Sequence, residues 1–260
     1  MSAGVARWAL AALGAALLLQ LASPAMAGGI NLAWNDCYGA GGTTNKNFAC
    51  NTNSGTNILV ASFEPPDGIT KLVGSSAVID IQTASTPLPS WWQMSASGCR
   101  AGSLRLDFNP PASQSCADYW SAAATGSFAY LPGFGGHPDR ARITISFGIP
   151  EALAGPVLIG WEYYAFRLIL DNSKSSGAGA CSGCLDPACI TLTSVWLYQP
   201  EGLGDHAICV PLASNQATWR GGAIGGYGCP GTDGPPPPPS DCLATPTINR
   251  TWGQLKGLYR

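Results

Sequence analysis

Charge is scarce in this chain: Lys, Arg, Asp and Glu together make 11% of its 260 residues, with a formal net charge of −2. With no basic stretch and a mildly acidic balance, nothing marks a nucleic-acid footprint or an anionic-membrane surface. Histidine is nearly absent, with only His137 and His206, so a catalytic or metal-binding cluster has few of its usual members. Helix-length amphipathic patterns are almost absent too. After residue 27 no apolar run approaches the roughly 20 residues of a membrane-spanning helix.

The first 27 residues read as a secretory leader. Arg7 forms a short basic region, residues 8–22 are apolar, and Ser23-Pro24-Ala25-Met26-Ala27 ends in an A-x-A cleavage pattern. The mature chain is expected to start at Gly28 and, with no cysteine directly after the cut, to carry no lipid. It should be secreted to the periplasm, the cell surface or the medium, without a transmembrane anchor.

What remains is rich in glycine (33) and proline (21) yet 46% hydrophobic, enough for a core with many turns. Short runs rich in Val, Ile, Thr and aromatics alternate with Gly, Pro, Asn and Ser clusters, the pattern of strands and turns. Strands are expected at residues 30–34, 58–63, 77–82, 103–108, 142–147, 161–170, 190–198 and 206–211, with a helix as the competing assignment over 161–170 only. In residues 103–108, Leu104, Leu106 and Phe108 fall on one face and polar residues on the other. Pro65-Pro66-Asp67-Gly68 sets a turn. About eight strands predict an all-β, two-sheet antiparallel sandwich, jelly-roll-like, over residues 28–230. Pro235 to Pro239 lie in a proline-rich linker, 231–246, because consecutive prolines hold an extended helix that cannot join a sheet. A terminal segment, 247–260, follows.

Ten cysteines in an exported chain point to disulfides: Cys37, Cys50, Cys99, Cys116, Cys181, Cys184, Cys189, Cys209, Cys229 and Cys242. Pairing Cys37 with Cys50 and Cys99 with Cys116 would close polar loops, and Cys229 with Cys242 would tie down the proline run. The alternative for Cys181, Cys184 and Cys189 is zinc, with Cys209 or His206 as fourth ligand. Disulfides are the preferred reading, so neither metal nor cofactor is expected.

Candidate sites are sparse. Asp139 or Asp205 could orient a histidine base, but neither a G-x-S-x-G elbow nor an H-E-x-x-H helix is present. Glu64, Asp80, Asp107, Glu151, Glu162 and Glu201 offer carboxylates for glycoside hydrolysis without a specific pattern. Glu162, among Trp161, Tyr163 and Tyr164, is the one whose pKa burial would raise, although strand alternation turns it to solvent. Trp91, Trp92 and Trp120 could form an aromatic platform for sugar rings, making carbohydrate a candidate ligand. The run containing Asn45, Asn47, Asn51, Asn53 and Asn57 lacks the acids of a calcium site.

In the terminal segment Thr251 and Gln254 form a capping box, and Trp252, Leu255 and Tyr259 share a helical face. So short a helix folds only when docked. It reads either as a strap on its own domain or as a signal for export, sorting or assembly machinery. Thr251, Trp252, Gly253, Lys256, Leu258, Tyr259 and Arg260, with residues 179–189 around Cys181 and Cys184 and the start Asn31-Leu32-Ala33-Trp34-Asn35-Asp36-Cys37, resemble exported proteins of environmental bacteria that share a T-W-G-x-x-K-x-L-Y-R end. The resemblance implies secretion and a common tail, and no activity. The expected function is a secreted, non-enzymatic binding or cell-surface structural module; the alternative is a secreted hydrolase acting on polysaccharide or peptide.

Overall fold

A computed structural model describes residues 28–38 and 41–221. Eleven strands form two sheets: β1 (Gly29–Trp34), β2 (Asn45–Lys46), β3 (Thr56–Glu64), β4 (Gly74–Thr83), β5 (Leu104–Asp107), β6 (Thr125–Pro132), β7 (Arg140–Gly148), β8 (Tyr163–Asp171), β9 (Ala188–Tyr198), β10 (His206–Ile208) and β11 (Gln216–Trp219). One sheet has the order β1-β3-β8-β5; the other runs β2-β11-β9-β4-β7-β6, with β10 also on β9. Every ladder is antiparallel except the short β2–β11 pairing. This is the disulfide-stabilised all-β sandwich that the sequence pattern predicts.

Alternation explains why these segments are strands. In β7, Ala141, Ile143, Ile145 and Phe147 are buried while the intervening residues are not. A one-residue slip would turn all four outward, so the register of β7 on β4 is strongly specified. Over residues 161–170 the strand wins: β8 pairs with β3 and β5 and buries Tyr164, Phe166, Leu168 and Leu170. β2, β6 and β11 were not foreseen. β6 hides behind Gly126 and Pro132, which weaken a strand pattern. It is tolerated as an edge strand, and Gly126 is needed because a Cβ there would meet the Ser146 carbonyl at 2.3 Å.

Between β10 and β11 the chain crosses to the other sheet. Ile30 N–H donates to the Val210 carbonyl, Leu212 N–H to Ile30 and Leu32 N–H to Ser214. One side of the sandwich is thereby closed.

Three disulfides have both partners among the described residues: Cys37–Cys116, Cys50–Cys184 and Cys99–Cys181. The expected pairings of Cys37 with Cys50 and Cys99 with Cys116 are therefore wrong. Sequence-near cysteines do not meet, because each lies on a loop folded against a distant one; the bonds span 79, 134 and 82 residues. Cys181 and Cys184 belong to different bonds, so this C-x-x-C offers no thiolate pair to zinc. Cys189 and Cys209 are disulfide-bonded as well. Cys229, Cys242, the leader, the proline-rich linker and the tail lie outside the described residues.

Candidate functional site

The three tryptophans expected as a sugar platform are core residues. Trp91, Trp92 and Trp120 are each 0% exposed. Trp91 stacks on Trp219 with ring centroids 5.5 Å apart and meets Trp92 edge-on at 5.1 Å. Two of the three polar edges are used internally: Trp91 Nε1 donates to Ser175 Oγ at 2.9 Å and Trp120 Nε1 to the Tyr164 carbonyl at 2.8 Å, while Trp92 Nε1 is buried without a hydrogen-bond partner among the described residues. Pro87 to Ser90 lead into a short 3-10 turn, Ser90–Trp92, that drives both indoles inward rather than presenting them. No face is left for a sugar ring on any of the three.

Beneath them lies Arg100, fully buried, its guanidinium 3.7 Å from the Trp91 ring centroid. It donates to the carbonyls of Ser173 (3.1 Å), Trp91 (3.2 Å) and Asp171. Burial lowers its pKa to about 10, with Asp171 and Tyr130 opposing that shift, so it stays charged at neutral pH. This is a structural clamp on the connections around β5, β8 and β9.

The candidate catalytic groups are scattered. His137 sits in the β6–β7 turn and His206 starts β10 at the other end of the sandwich. Asp205 accepts the Gln199 N–H at 3.0 Å, and burial raises its pKa against that bond. Asp80 pairs with Arg142 at 2.6 Å, Asp107 with Arg167 at 2.6 Å and Glu151 with Lys71 at 2.8 Å. Glu162, expected to face solvent, is only partly exposed. Its Oε1 accepts from Asn31 Nδ2 at 2.7 Å and Ser62 Oγ at 2.5 Å, and Asn31 Oδ1 in turn accepts the N–H groups of Ala213 and Ser214. The residue thus latches the crossing strand to β1. Of the asparagines, Asn45, Asn53 and Asn57 bond to neighbouring segments of the fold.

What sequence reasoning missed is the end where β3 meets β4, β7 meets β8 and β9 meets β10. The registers bring these loops together: Gly74 lies opposite both Gly148 and Tyr198, and Phe63 opposite Tyr163. The loop from 149 to 162 is pinned at its stem. Leu72 N–H donates to Gly155, Tyr119 Oη donates to the Leu72 carbonyl at 2.6 Å and accepts the Gly155 N–H at 2.9 Å, and Leu158 N–H donates to Tyr163 Oη at 2.8 Å. Its tip then turns at Ile159-Gly160, with Gly160 at φ 75°, where a side chain would be strained. Leu158, Ile159 and Trp161 stand 55, 47 and 55% exposed on this tip, and Leu153, Leu203 and Leu212 are exposed at the same end. The three loops carry five acids, Asp67, Glu151, Glu162, Glu201 and Asp205, against one lysine, Lys71. The available signal was the uncharged run 152–161 with Gly160 inside it; assigning Trp161 to a strand concealed it.

No family model and no curated protein matches the sequence. Among solved structures the chain is similar to the cohesin module of a Clostridium perfringens family 33 glycoside hydrolase (10% identity, 74% of this chain and 96% of that one, TM-score 0.33). It is also similar to a type II cohesin domain from the cellulosome of Acetivibrio cellulolyticus (8%, 75% and 95%, TM-score 0.34) and to the major pilin subunit of Bacillus cereus (10%, 74% and 40%, TM-score 0.29). Superpositions this loose decide nothing about function. Among the described residues no helix is long and apolar enough to cross a membrane.

Proposed function

We propose that this protein is an exported, non-enzymatic binding module, and that it docks peptide segments carrying both basic and apolar side chains on its acidic loop end. The observation that carries the reading is the tip Leu158-Ile159-Gly160-Trp161. Large apolar side chains grouped in solvent on a pinned stem form a patch of the kind that marks an interaction surface. The surrounding carboxylates select a cationic partner. Export is supported by the leader pattern and the disulfides, which persist in oxidising compartments. The terminal residues Thr251, Trp252, Gly253, Lys256, Leu258, Tyr259 and Arg260 act, in this proposal, as a sorting or docking element presented beyond the proline-rich linker.

The test uses a panel of labelled 14-residue peptides, basic-amphipathic, acidic-amphipathic and neutral-polar, titrated against the full chain by fluorescence anisotropy. Basic-amphipathic peptides should bind best, and weaken at least tenfold with the L158S/I159S/W161S variant. Equal binding by all three classes, or unchanged binding by the variant, overturns the reading.

A further inference from the structure

The chain itself contains a segment of the required chemistry. Residues 247–260 carry Arg250, Lys256 and Arg260 and no acidic side chain, with Trp252, Leu255 and Tyr259 at helical spacing. The loop end has the opposite character: five acids to one lysine, and that lysine is already engaged with Glu151. Apolar surface faces apolar surface, and positive charge faces negative. We propose that residues 247–260 dock on the loop end of their own molecule, covering Leu158, Ile159 and Trp161. The inference rests on the reading of that end as a docking surface and names its resident occupant.

The described chain leaves the sandwich after β11, where Trp219 lies opposite Ala188, at the end remote from Tyr198, and the 25 residues 222–246 separate it from residue 247. Docking within one molecule keeps the tail at high effective concentration. Other peptides of the same chemistry compete with the tail for the loop end.

The test is zero-length carbodiimide crosslinking of the full chain, using an equal mixture of unlabelled and ¹⁵N-labelled protein. Lys256 is the one lysine in the tail, so its links report where the tail lies. The expected result is amide links from Lys256 to acids of the three loops, joining peptides of like label, with yields falling several-fold in L158S/W161S. Links from Lys256 to Asp36, Asp139 or Asp186, the absence of any Lys256 link to the loop acids, or mixed-label pairs signalling the tail of a second copy would each overturn it. The peptide panel separates the two ideas. If the tail is the occupant, the R250E/K256E/R260E chain binds basic peptides at least fivefold more tightly than the parent. If the loop end binds them while the charge reversal changes nothing, only the tail inference fails.

Discussion

Replacing Arg100 by methionine removes the one cation wholly enclosed by the described structure while keeping a flexible apolar side chain against Trp91. Three carbonyls, of Ser173, Trp91 and Asp171, lose their donor, and a stacking contact at 3.7 Å goes with them. A buried carbonyl without a partner costs about 1–3 kcal/mol, and breaking a buried charged cluster typically costs about 3–5 kcal/mol. The lower total applies because Asp171, partly exposed, can be rehydrated once its partner is gone. The expected loss is about 3–5 kcal/mol, or about 6–20 °C in Tm for a body of this size. Arg100→Lys keeps the charge but cannot reach three carbonyls from one ammonium, so it should fall between parent and methionine. The assay is urea unfolding under non-reducing conditions, with an unchanged slope required for comparison. Because the guanidinium titrates near 10, the deficit should stay constant between pH 5 and 8. A loss below about 1 kcal/mol for Arg100→Met would refute the clamp.

Non-reducing peptide mapping should recover Cys37–Cys116, Cys50–Cys184 and Cys99–Cys181. Loop entropy puts loss of Cys50–Cys184 at up to about 5 kcal/mol and of either shorter loop slightly less; a Cys37–Cys50 peptide would contradict the fold. Ser121 and Ala122 have φ of 46° and 60° in a turn closed by Ala123 N–H to Trp120 O. Relieving that conformation with Ala122→Gly should raise stability by about 0.5–1 kcal/mol by urea unfolding. Burial works to raise the Asp107 pKa, but the Asn109 N–H and Arg167 outweigh it and hold it below the usual value. A lowered carboxylate pKa contributes stability above its unfolded value that is lost as pH falls through the folded one. Asp107→Asn should therefore cost about 1 kcal/mol at pH 7 and almost nothing at pH 2, read from melting curves at both.

The fold class was legible because β4, β7 and β8 carry the alternation or dense apolar content that only a sandwich buries. All eight expected strands are present, with ends shifted by a few residues. β2 and β11 escaped notice because two- and four-residue strands owe their existence to pairing, not to pattern. Disulfide partners were illegible for a related reason: loops that adjoin in space, such as those holding Cys50 and Cys184, are far apart in sequence. Tryptophan misled in both directions. Trp91 and Trp92 follow a proline-rich loop, yet a 3-10 turn sends them into the core, while Trp161, read as part of a strand, stands in solvent before β8 begins. Exposure at a loop tip depends on what its stem is bonded to, and here Tyr119 makes those bonds from another part of the chain while Tyr163 makes one from the start of β8.

The most direct measurement is residue-resolved mapping of the bound peptide: amide chemical shifts of the ¹⁵N-labelled R250E/K256E/R260E chain during titration with the basic-amphipathic peptide. Perturbations concentrated at residues 65–73, 149–162 and 199–205, and weakened by salt, are the predicted result. Perturbations centred instead on the β6 edge or on the loop around Leu185, at the far end of the sandwich, would contradict the account.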